Sequence, residues 1–238
     1  MNLINNRFAQ QPKAKPFAWS YSALKNFETC GHRHNQIDRL KNFAEPEGPA
    51  LKEGNDAHKI LAKAVMGDPL PEGFEKYQGW VDRIRAGTGR IYVENKLALT
   101  ADKEPVTFFG KGAWFRGVVD VIKIIETTNG DVALLVDWKT GKILEDAVQL
   151  ALFAAMTFAH YPSVRKVRTE YVWLKDDCTT REDFTPADMS ALWQALKPRI
   201  DALEHAFNTG EYHKMPSGLC RNYCVVDDCE YYQKGSRG

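Results

Sequence analysis

The chain has 238 residues, 44% of them hydrophobic and 26% charged, and a formal net charge of +1. This composition gives a soluble globular chain long enough for one full core. It excludes a uniformly basic surface, so any contact with nucleic acid must come from local cations. The longest apolar run, Leu150 to Met156, is too short to cross a bilayer, and Met1 to Gln11 lacks the apolar stretch of a secretion signal. The expectation is a cytoplasmic protein without membrane contact.

In chain order, residues 1–18 show no periodicity and read as a loose arm. Residues 19–230 read as a single domain and 231–238 as a tail. Trp19-Ser20-Tyr21-Ser22 opens a helix running to about Cys30, with Ser20 or Ser22 as its N-cap. Leu51 to Met66 carries the helical stripe Ala57, Ile60, Leu61, Ala64 and Val65. Gly54 and His58 lie one turn apart beside that stripe, so His58 points inward and by itself reads as a core histidine. A helix over Glu72 to Arg85 ends at Gly87-Thr88-Gly89. Arg90 to Thr100 alternates as a strand, with Glu94 and Lys96 on the face opposite Val93 and Leu97. Arg83, Arg85 and Arg90, and separately Arg165, Lys166 and Arg168, are either local nucleic-acid contacts or solvated faces.

Val118-Val119-Asp120 and Leu134 to Gly141 read as two strands of a hairpin. Asn129-Gly130 between them is a strong two-residue turn signal. That loop would pair Asp120 with Lys139 and Ile122 with Asp137. Side chains alternate along a strand and cross-strand partners share a face, so Asp120, Asp137 and Lys139 should converge. Two buried carboxylates and an ammonium are costly to desolvate without a purpose, and a divalent cation supplies one. A helix over Asp146 to Phe158 with Gln149 in its first turns, a strand over Lys166 to Leu174, and a helix over Pro186 to Phe207 capped by Asp183 or Thr185 complete the core. Cys178 falls in an apparent loop.

Gly117-Val-Val-Asp120 followed by Asp137-Trp-Lys-Thr-Gly141 resembles the PD-(D/E)XK nuclease motif of RecB-type and CRISPR-adaptation nucleases. The entry segment Ser-Tyr-Ser-x-Leu-x-x-Phe-x-x-Cys and Gly54-x-x-x-His58 add to the resemblance. It implies an α/β restriction-endonuclease-like core, a central mixed sheet with helices on both faces. It also implies Asp120, Asp137 and Lys139 as catalytic residues, and His58, Asp120, Asp137 and the Trp138 carbonyl as ligands of Mg2+ or Mn2+. Glu94 and Gln149 are candidates for contact with the substrate or the active-site groups. Phe153 stands where such domains carry Tyr. The implied activity is metal-dependent DNA cleavage, single- or double-stranded and exonucleolytic. The implied setting is phage or mobile-element recombination, replication or repair, with a protein of those pathways as partner. The alternative is a non-catalytic module that keeps the fold and binds DNA or a protein.

The tail reads Cys220-x3-Cys224-x4-Cys229, with Cys30 far upstream. One N-terminal and three C-terminal cysteines resemble the iron–sulfur arrangement of CRISPR-adaptation and AddB-type nucleases, although the middle cysteine is displaced and Gly31 replaces the family's proline. Four thiolates suit a [4Fe–4S] cluster or tetrahedral zinc, and unligated thiols are the third reading.

Overall fold

A computed structural model describes residues 16–144 and 146–233. Most of the expected N-terminal arm, the last residues of the expected tail and Glu145 lie outside the described residues. The elements, in order, begin with α1 (Tyr21–Thr29), α2 (Gly31–His34) continuing into a π-helical turn (Asn35–Arg39), α3 (Pro49–Met66) and α4 (Gln78–Arg85). They continue with β1 (Arg90–Leu99), β2 (Pro105–Val106), β3 (Phe115–Ile125), β4 (Asp131–Lys139), α5 (Ala147–His160), β5 (Val164–Trp173), β6 (Cys178–Phe184), α6 (Met189–Thr209) and α7 (Leu219–Asn222).

The six strands form one mixed sheet in the order β2-β1-β3-β4-β5-β6. Only the β4–β5 pair is parallel, as its connection through α5 requires. Helices cover both faces, which is the α/β architecture expected. On one face, α1, α5 and α6 bury Leu24, Leu152, Phe153, Leu196 and Ile200 against Phe115, Val119, Ile122 and Leu135. On the other, the α3 stripe of Ala57, Leu61, Ala64 and Val65 packs with Val81 and Ile84 of α4 against Val121, Val136 and Trp138.

Several boundaries differ from expectation. Ser20 is the α1 cap, its hydroxyl accepting from the Ala23 N–H. The helix expected over Glu72 to Arg85 begins only at Gln78, after a short 3-10 turn. β6 runs through the segment read as a loop around Cys178; its residues Cys-Thr-Thr-Arg-Glu-Asp-Phe show no apolar alternation, and neither of its faces is fully buried. The hairpin register also differs. Ile125 pairs with Val132 and Val121 with Val136, so the connection is longer than two residues, with a turn closed by the Gly130 N–H to the Thr127 carbonyl. Relative to the expected pairing the register slips by two residues. An even slip leaves every side chain on its expected face.

Four members of the two basic runs are engaged within the protein. Arg83 lies 2.5 Å from Glu170, Arg90 faces Glu126 and Asp131, and Lys166 and Arg168 both meet Asp183. Glu170 is only 2% exposed. Arg83→Leu should therefore destabilise the fold by about 1–3 kcal/mol, since it strands a buried carboxylate; urea unfolding measures this.

Candidate metal and catalytic site

The site forms where β3 and β4 part. Their pairing stops at Val121 and Val136. One residue further, the Asp120 carboxylate enters the gap and its Oδ2 accepts the backbone N–H of Trp138 at 2.8 Å. A side chain thus takes the place of a ladder partner, and the strands separate around it. The same hydrogen bond fixes the Asp120 carboxylate and uses the Trp138 N–H.

His58 arrives from α3, its Nδ1 3.2 Å from Asp120 Oδ2. The approach depends on Gly54: a Cβ there would lie 3.1 Å from Thr140 Oγ1, so glycine lets the helix sit close to the end of β4. Glu94 arrives from β1 with φ of 48°, a left-handed conformation inside a strand. Such a backbone costs about 1–3 kcal/mol for a non-glycine residue and is concentrated at functional sites. His58, Glu94 and Asp120 each offer a ligand atom within 4.8 Å of the others. Sequence placed Glu94 at the margin of the site; the structure places it among the three.

Asp137 and Lys139 stand beside this group. Lys139 Nζ lies 2.5 Å from Asp137 Oδ2, 3.4 Å from Gln149 Oε1 and 4.8 Å from the centre of the Tyr171 ring. Gln149 Oε1 also accepts from the Tyr171 hydroxyl at 3.0 Å. Tyr171 was not singled out from sequence; as the β5 neighbour of Asp137, it is placed by sheet register rather than by a motif. Phe153, in the family's Tyr position, is buried in the core. Trp138 is fully buried against the α3 side.

The electrostatics are those of a site missing positive charge. Burial and then the Asp120 charge push Asp137 up to about 6, against the opposing pull of Lys139 and His58. Burial and the Asp120 charge also raise Glu94. Burial lowers His58, but the Asp120 and Asp137 carboxylates outweigh it and hold the imidazole above its ordinary value. Asp137 Oδ2 is buried, and its near neighbour is the Lys139 ammonium, at 2.5 Å. The His58 imidazole and the Glu94 and Asp120 carboxylates, with Asp137 beside them, form a donor set that fits a divalent cation.

The four cysteines of the predicted set line one small cavity of about 20 Å³, together with His32. None is in a disulfide. Gly31 permits the return of the tail: a Cβ there would lie 3.1 Å from the His213 carbonyl oxygen, which accepts the His32 N–H. Cys178 lies elsewhere, paired with Trp173 in the sheet.

A family model described as the PD-(D/E)XK nuclease superfamily matches residues 18–231. The crystal structure of a "putative exonuclease" from Eubacterium rectale is 13% identical, with a TM-score of 0.52 and coverage of 95% of each chain; at this identity the likeness is one of fold. The crystal structure of SSO0001 is also 13% identical, over 94% of this chain and 90% of its own, with a TM-score of 0.44. No curated protein matches the chain. Among the described residues, no helix is long and apolar enough to cross a membrane.

Proposed function

The chain belongs to the PD-(D/E)XK nuclease superfamily, and from that premise we propose that it is a divalent-metal-dependent deoxyribonuclease acting as an exonuclease. The observation that supports this most is the convergence of His58, Glu94 and Asp120 with the Asp137–Lys139 pair in the gap between β3 and β4. The exonucleolytic mode is supported by the name given to the E. rectale structure.

His58, Asp120 and Asp137 would hold Mg2+ or Mn2+, with Glu94 joining them and the Trp138 carbonyl as a further donor. Once bound, the cation would supply charge neutralisation at a phosphate and acidify water. Everything else is the work of the chain. Asp120 is held by the Trp138 N–H, so one carboxylate needs no reorganisation. Lys139 sets an ammonium beside the reacting phosphate, where Gln149 and Tyr171 keep it oriented. Its charge favours a transition state that carries more negative charge on the phosphoryl oxygens than the ground state does. The test is incubation of labelled single- and double-stranded DNA with Mg2+, Mn2+ or EDTA. Cleavage with either cation and none in EDTA is expected; intact DNA under all conditions would reject the reading.

Protons and the cation compete for the same atoms. Asp137 titrates near 6 and His58 above its ordinary value. Cation affinity should therefore rise as pH increases through about 6 and level off once His58 has also lost its proton, as calorimetric titration with Mn2+ will show. The metal-free protein should behave in the opposite sense. Burial holds the Asp137 pKa above the ordinary carboxylate range, so folding favours the protonated form. This contribution is present below the unfolded-state value and is lost as pH rises through about 6.

For the cysteine cavity we favour a [4Fe–4S] cluster held by Cys30, Cys220, Cys224 and Cys229. The four cysteines line one cavity, which supports a shared metal centre; four thiolates suit tetrahedral zinc as well, and that is the alternative. Anaerobically purified protein should contain iron and acid-labile sulfide, both lost in Cys224→Ala. Stoichiometric zinc, or no metal, would overturn the assignment.

A further inference from the structure

A second concavity, of about 720 Å³, opens next to the site, between α1, β3 and the start of α5. It exists because one edge of β3 is uncovered. The extended segment at Trp19 bridges to Phe115 and accepts the Arg116 N–H, and β4 joins β3 only from Val121 onward. Between them, Gly117 and Val118 line the cavity, and the strand runs from them directly into Asp120. Gln149 lines it too, and the Gln149 amide oxygen is the group that meets Lys139.

The lining carries the chemistry of a nucleotide strand. Arg116 donates one N–H to the Phe108 carbonyl at 2.7 Å and has no carboxylate partner among the described residues, so the rest of its guanidinium is available to a phosphate. Lys25 is 53% exposed at its side chain and 3.5 Å from Asp146. Asp146, a carboxylate in the lining, is already occupied: the Tyr21 hydroxyl donates to both of its oxygens, at 2.6 and 2.7 Å. Phe108 forms part of the wall. Phe109 stacks edge-on against it at 5.0 Å and is 82% exposed. Cations beside exposed aromatic faces are the combination that binds single strands, the phosphates on the charges and the bases on the rings. The volume lies within the range of about 300–1,000 Å³ typical of small-ligand pockets, which admits one or two unstacked nucleotides but not a duplex.

We infer that this cavity binds single-stranded DNA next to the scissile phosphate, with a phosphate on Arg116 and a base against Phe108. The inference rests on the nuclease reading, because it takes the strand's destination to be the Asp120–Lys139 site. It makes the single strand, rather than the intact duplex, the form that enters.

The test is fluorescence anisotropy with a labelled oligothymidylate and a blunt duplex, in EDTA so that neither is cut. Arg116→Gln should weaken oligothymidylate binding about tenfold and lower the salt slope by about 0.7, one phosphate contact on a single strand. Phe108→Ala should weaken it by a similar factor without changing the slope. Arg116→Lys should retain most of the affinity, and duplex binding should stay unchanged in all three. Oligothymidylate affinity at the wild-type level in both Arg116→Gln and Phe108→Ala would overturn the assignment, as would an equal loss for duplex. If the wild type cuts DNA with Mn2+ while those variants bind the strand normally, the cavity assignment alone fails. If the wild type cuts no DNA, the nuclease reading fails and takes this inference with it.

Discussion

Asp120→Asn should reduce single-turnover DNA cleavage by at least about 10³-fold while leaving the thermal unfolding midpoint near that of the wild type. Loss of one preorganised electrostatic group alone typically costs about 10²–10³ in rate, and Asp120 also offers a ligand atom within 4.8 Å of those of His58 and Glu94. Asparagine is the informative replacement. Its amide oxygen can still accept the Trp138 N–H that Asp120 accepts at 2.8 Å, so the opening between β3 and β4 persists. Alanine would leave a buried N–H without a partner, at about 1–3 kcal/mol, and would mix a folding defect with a catalytic one. Asparagine also removes the charge that raises Asp137 and Glu94, so the Asp137 titration should move downward. An Asp120→Asn protein that still cleaves DNA in a metal-dependent way would remove this carboxylate from the site.

Lys139→Met should lower the single-turnover rate by about 10²–10³-fold with little change in DNA affinity, because its charge matters most when the phosphoryl oxygens carry most charge. Arginine should rescue poorly: a planar fork cannot occupy the position that a compact ammonium holds between Asp137 and Gln149. A purely structural role makes a different forecast. If Lys139 only balances the buried Asp137 carboxylate, 5% exposed, then Lys139→Met lowers stability and leaves cleavage per folded molecule unchanged. Rate and affinity measured on one preparation separate the two.

The site was legible where chemistry is local in sequence. Asp120, Asp137 and Lys139 lie on two strands whose alternation fixes their faces, and the convergence held although Asn129-Gly130 did not form the two-residue loop assumed. It held because the slip was even; a slip of one residue would have moved Asp137 and Lys139 to the opposite face. What depends on tertiary contact was not legible. The positive φ that carries Glu94 toward His58 and Asp120 has no glycine to announce it. Tyr171 reaches Gln149 only because β5 lies parallel to β4. The Arg83 and Arg168 runs looked available and are paired with Glu170 and Asp183, whereas Arg116, outside any basic run, borders the open β3 edge. β6 carries no apolar alternation because neither of its faces is fully buried.

The central claim is that one cation held by His58, Asp120 and Asp137, with Glu94 joining them, enables phosphodiester cleavage. It is tested most directly by titrating Mn2+ into the wild-type and Asp120→Asn proteins, following bound Mn2+ and cleavage of labelled DNA in the same samples. The account predicts that occupancy and cleavage rise together in the wild type and that Asp120→Asn loses both. Cleavage that reaches its full rate before this site fills, or that persists in Asp120→Asn, would contradict it.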